Sequence, residues 1–68
     1  MKPIARTGTP MEILKAALKK EHAAYEFYAE VRDHANVEMV RVLAEELCEE
    51  EQRHIRLIEN HIAALNRG

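Results

Sequence analysis

Apolar and small side chains return at alternating steps of three and four along most of this chain. The first run passes through Leu14, Ala17, Glu21, Ala24, Tyr28 and Val31. The second passes through Val40, Ala44, Leu47, Glu51, His54, Ile58, His61 and Leu65. Such stepping keeps side chains on one face of an α-helix and is the pattern of bundles and coiled coils. Leu18 and Tyr25 widen the first stripe. Leu43, Leu57, Cys48, Ile55 and Ile62 widen the second on both sides. There is no sustained apolar–polar alternation and there are few β-branched residues, so no strand is predicted.

Local signals bound the two helices. Thr9-Pro10-Met11-Glu12 reads as a start: Thr9 caps, Pro10 suits the first helical position, and Glu12 completes a capping box. No Gly or Pro interrupts the chain from there to about Asp33, and Ala, Leu, Lys and Glu favour helix. His34-Ala35-Asn36 is the expected turn, with Asn36 capping a second helix from about Val37 to Asn66 and Gly68 just past its end. Residues 1–8 show no periodicity and read as a flexible N-terminal arm, leaving residues 9–68 as an all-α, antiparallel two-helix hairpin.

A hairpin of this size cannot enclose its own stripes. Chains below roughly 70 residues seldom build a sufficient core without disulfides, metal or oligomerisation. This chain has 68 residues and one cysteine, so an internal disulfide is impossible. The same count rules out a four-cysteine metal knuckle. Pairing into a four-helix bundle about a two-fold axis is the expected solution, so a homodimer at least is predicted. The extra width at Ile55 and Ile62 suggests further contacts between dimers.

Charge narrows the partners. Net charge is −2 with acids and bases interspersed, which excludes the concentrated basic face that nucleic acid requires. No apolar run approaches the roughly 20 residues of a membrane span. The opening Met1-Lys2-Pro3-Ile4-Ala5-Arg6 carries charge but no apolar core, so it does not read as a secretory signal. The expected address is the cytoplasm.

Three residues contradict the stripes that contain them. Glu21 lies in the middle of the first, and Glu51 and His54 in the middle of the second. An ionised carboxylate in a bundle core costs several kcal/mol unless something compensates it. At ~1.5 Å rise per residue, Glu21 lies roughly 20 Å from the turn and Glu51 and His54 roughly 21–26 Å, so an antiparallel hairpin brings them to one level. Their spacing of three turns Glu51 and His54 the same way. Two such hairpins about a dyad supply four carboxylates and two imidazoles. That is the ligand set of bundle di-iron and di-manganese proteins, in which two helices each give a Glu and two each give Glu-x-x-His. Hard oxygens with one imidazole per metal suit iron or manganese, with zinc as a structural alternative.

At these residues the chain resembles the ferritin-like superfamily, in particular its rubrerythrin branch and the two-helix encapsulated-ferritin type. The resemblance covers about residues 14–65. It rests on Glu21 with Tyr28 seven residues on, on Asn36-Val37-Glu38-Met39, and on Leu43-Ala44-Glu45-Glu46 leading into Glu51-Gln52-Arg53-His54. It implies a ferritin-like four-helix bundle made by dimerisation. It also implies a ferroxidase centre shared between two subunits, with Glu21, Glu51 and His54 as iron ligands and two Fe per dimer. Tyr28 would take a catalytic part nearby, and dimers would build a ring-like oligomer. An encapsulating shell is a compatible partner, although no recognisable targeting tail follows Leu65-Asn66-Arg67-Gly68. The absence of a second helix pair and of a rubredoxin module separates the chain from a complete ferritin or rubrerythrin.

The remaining candidates are weaker. Tyr25, one turn from Glu21, is the alternative to Tyr28. His61 is an extra ligand or entry residue, or else an interface residue. Glu50 borders the stripe and replaces Glu51 if the register is displaced by one. His22 is expected on a flank, His34 on the turn surface, and Glu45, Glu46 and Glu49 in solvent, where they can attract Fe²⁺. Cys48 reads as a small buried or interface residue. Two functions follow from these residues: a ferroxidase-like di-iron protein, or a non-enzymatic helical oligomerisation module with a polar or structural-metal layer.

Overall fold

The computed structural model describes residues 8–68 and contains two helices, α1 over Pro10–His34 and α2 over Glu38–Arg67. Of the arm expected over residues 1–8, only Gly8 falls within the described residues. The helices pack against each other, and no strand occurs among the described residues. None of these helices is long and apolar enough to cross a membrane.

Thr9 starts α1 as its sequence signal predicts. Its hydroxyl accepts from the Glu12 amide at 3.1 Å, and the Glu12 carboxylate accepts from the Thr9 amide at 2.9 Å. Two of the donors at this helix start are thereby satisfied. The second start differs from expectation. α1 continues through His34, so Ala35 takes an extended conformation and Val37, not Asn36, becomes the N-cap of α2. Asn36 stands one position too early to reach the amides of the first turn. Val37 offers no side-chain cap. At the far end, the Gly68 amide donates to the Leu65 carbonyl at 3.2 Å.

Cross-helix contacts fix the register. Glu21 meets His54, and one turn later the Tyr25 carbonyl faces the Cys48 thiol at 4.0 Å. As α1 advances α2 retreats, which is the antiparallel arrangement. Ala44 and Cys48 are the buried core residues, flanked by half-buried Leu18, Tyr25, Ile55, Ile58 and Ile62. The seam is therefore rotated toward Cys48, Ile55 and Ile62, the residues that only widen the stripe in the sequence. Ile55 and Ile62 are half-buried and lie along the seam of the hairpin. Val40 and Leu65 are exposed, as are Leu43, Leu57 and Phe27. The molecule's shortest dimension is 12 Å, about one helix diameter, so the helices form a single layer.

Candidate metal centre

Glu21 reaches the site from the middle of α1, and Glu51 and His54 from the middle of α2. The seam residues that lead up to Glu51 on α2 are small: Ala44 and Cys48, both buried. The three side chains each present one ligand atom, and these atoms lie within 4.8 Å of one another. His54 Nδ1 is 3.1 Å from Glu21 Oε1 and 3.6 Å from Glu51 Oε1. Glu51 is the most enclosed of the three, with 15% of its side chain exposed against 42% for His54.

The two carboxyls titrate in opposite directions. Glu51, hydrogen-bonded to Glu21 and partly desolvated beside its charge, is held above the usual carboxylate range. Glu21 accepts that hydrogen bond and another from His54, and is held below it. The opposite directions have one cause: two like charges so close cannot both ionise cheaply. Glu51 Oε1 is buried and has no hydrogen-bond partner. Buried oxygens without partners are uncommon in native proteins and call for a compensating group. A cation among the three residues would supply it, and the set of hard oxygens with one imidazole suits iron or manganese. The residues present fit such an ion.

The other candidates sort by position. Tyr28 is half-buried on the same stripe of α1, its ring packed edge-on to Phe27 with centroids 5.4 Å apart. No hydrogen bond among the described residues joins Tyr28 to Glu21, Glu51 or His54. Tyr25 is half-buried and offers its backbone carbonyl to Cys48. His61, His22 and His34 are exposed, as are Glu45, Glu46 and Glu49. Glu50 is the residue whose place the sequence understates. Its Oε1 lies 3.5 Å from His54 Nε2, on the far side of the ring from the carboxyl pair. The four-residue spacing of Glu50 and His54 is the signal for that contact.

A helical hairpin that gathers two glutamates and a histidine at one level is consistent with the ferritin-like class. A family model described as rubrerythrin matches residues 12–68, which takes in all of α2 and nearly all of α1. The chain belongs to the rubrerythrin family, whose members usually bind iron. Comparison with curated proteins found no match, and neither did comparison with solved structures.

Proposed function

We propose that the chain is a di-iron carboxylate protein with ferroxidase activity, acting at a site shared between two copies. The observation that carries this reading is the convergence of Glu21, Glu51 and His54 around a buried Glu51 oxygen that lacks a partner. When bound, iron supplies the redox chemistry: each Fe²⁺ gives one electron to dioxygen or peroxide and becomes Fe³⁺. The residues do the rest. Glu21 and Glu51 bring negative charge that favours the higher oxidation state, and a cation between them offsets their mutual repulsion. His54 adds a neutral nitrogen to each metal. Tyr28, one stripe step beyond Ala24, is the aromatic hydroxyl assigned to the neighbourhood of the reaction.

One hairpin offers half of the four-Glu, two-His set that holds two metals in bundle proteins. The second half is assigned to a second copy, seated on the side to which His54 turns. At ~100° per residue, Leu43, His54, Leu57 and Leu65 fall within one sector of roughly 80° on α2. In an antiparallel pair of right-handed helices, the sector of α1 holding Ala24, Phe27 and Val31 opens to the same side. The exposed Leu43, Leu57, Leu65 and Phe27 thus surround the open side of the site. Covering each of them contributes roughly 1 kcal/mol, since each starts only about half exposed. Larger ring-like assembly, an encapsulating shell and a role in iron handling or oxidative-stress protection extend the same reading.

The alternative is a helical oligomerisation module with a polar or structural-metal layer of zinc or manganese. The hydrogen bond of 3.1 Å between His54 and Glu21 favours it, because it satisfies part of the layer without any ion. Iron turnover separates the two. The chain is stripped with a chelator, given Fe²⁺ in air, and followed by near-UV absorbance. Oxidation faster than in buffer, lost in Glu51→Ala, is expected. Oxidation at the buffer rate would leave the module as the better account.

A further inference from the structure

We propose that Glu50 is a positioning residue for His54, accepting a hydrogen bond from its Nε2–H so that Nδ1 presents a lone pair to the cation between Glu21 and Glu51. The proposal rests on the di-iron reading and concerns a residue outside its ligand set.

A neutral imidazole has one N–H and one lone pair, and only the lone pair binds metal. Which nitrogen is free depends on the hydrogen bond made by the other. Here the two nitrogens face different partners. Nδ1 faces Glu21 at 3.1 Å and Glu51 at 3.6 Å, so it is the nitrogen on the metal side. Toward Glu21 it acts as a donor, because that carboxylate can only accept. Binding a cation therefore requires the ring proton to leave Nδ1 and reside on Nε2. A proton there needs an acceptor, and the carboxylate within 4 Å among the described residues is Glu50, at 3.5 Å. Closing by a few tenths of an ångström would bring the pair to ordinary hydrogen-bond length.

Glu50 is itself held in place. Its Oε1 also accepts from Arg53 Nη2 at 2.6 Å, so the oxygen that faces His54 is anchored by a permanent charge. About half of the Glu50 side chain is exposed, and within one hairpin it lies across the ring from Glu21 and Glu51. The geometry is that of a carboxylate, a histidine and a metal in series, an arrangement whose outer member typically changes metal affinity by about 10–100-fold when removed.

The test uses the full chain with Zn²⁺, a diamagnetic probe. Zn²⁺ affinity is measured by calorimetry, and the His54 tautomer by the ¹⁵N shifts of its ring. The variants are Glu50→Ala, Glu50→Gln and Glu46→Ala. Glu50→Gln removes the charge but keeps a carbonyl acceptor. Glu46→Ala removes the same charge elsewhere on α2. In the Zn²⁺-loaded wild type, His54 is expected to carry its proton on Nε2. Glu50→Ala is expected to bind Zn²⁺ about 10–100-fold more weakly. Glu50→Gln and Glu46→Ala are expected to stay within about threefold of wild type. Equal affinity of Glu50→Ala and wild type overturns the role of Glu50 alone. Equal weakening by Glu50→Ala and Glu50→Gln also overturns it, since the effect is then one of charge. A wild type that takes up no Zn²⁺ at all overturns the site reading, and the role of Glu50 with it.

Discussion

Glu51 carries the chemical tension of the site, since Glu21 beside it and partial burial hold its carboxyl above the usual carboxylate range. Its pH consequences follow from the direction of each shift. The unfolded chain releases the Glu51 proton near 4.5 and the folded chain only at higher pH. Between those values the folded state binds more protons, so stability falls as pH rises. Glu21 acts the other way: below 4.5 the unfolded state binds more protons, and stability falls as pH drops. The contribution of the pair is therefore largest near the ordinary carboxylate pKa. We predict that thermal melting of the metal-free chain declines as pH rises above 4.5, and that Glu51→Gln flattens the decline and melts higher at its upper end. Parallel melting curves for the two proteins would show that Glu51 holds no such proton. Because a cation must displace the proton, metal affinity is expected to rise over the same interval. The three convergent residues were legible in the sequence because an acid within an apolar stripe has few cheap explanations. The contact of Glu50 with the back of His54 was less so, because the acidic run from Glu45 to Glu51 gives no reason to single out one member.

At the scale of the elements, the two helix starts differ in a way that can be measured. α1 begins with a complete capping box, and α2 begins with Val37 and no side-chain cap. Thr9→Ala is expected to cost about 1 kcal/mol, and Val37→Asp to add a comparable amount. Circular-dichroism melts of the metal-free chain check both; unchanged melting in Thr9→Ala would mean that the first turn frays in solution. The exposed pairs of Arg41 with Glu38 and Arg53 with Glu50 contribute little by comparison, since ion pairs in water are worth at most about 1 kcal/mol. Both helices and their order could be read from the 3-4 stepping and from Thr9-Pro10. The cap at Asn36 could not, because the length of a short turn depends on where the two helices meet. Here His34 stays helical and pushes the cap on to Val37.

For the whole molecule, the central fact is a single layer with two apolar sides to its helices. One side is the hairpin seam at Ala44, Cys48, Ile55 and Ile62. The other, with Leu43, Leu57, Leu65 and Phe27, lies open beside His54. The sequence shows both as one broad stripe, since periodicity reports that a residue avoids water but not which partner covers it. If the second side receives another copy, Leu57→Glu should shift the chain toward monomer in sedimentation and weaken metal binding together. Dissociation without loss of metal would place the whole site within one hairpin. The most direct measurement is an anaerobic Fe²⁺ titration of the metal-free chain, with the assembled mass determined on the same sample. The account predicts one Fe²⁺ per chain in a particle of at least two chains, with uptake abolished in Glu51→Ala while the helices persist. Iron uptake unchanged by Glu51→Ala would contradict it.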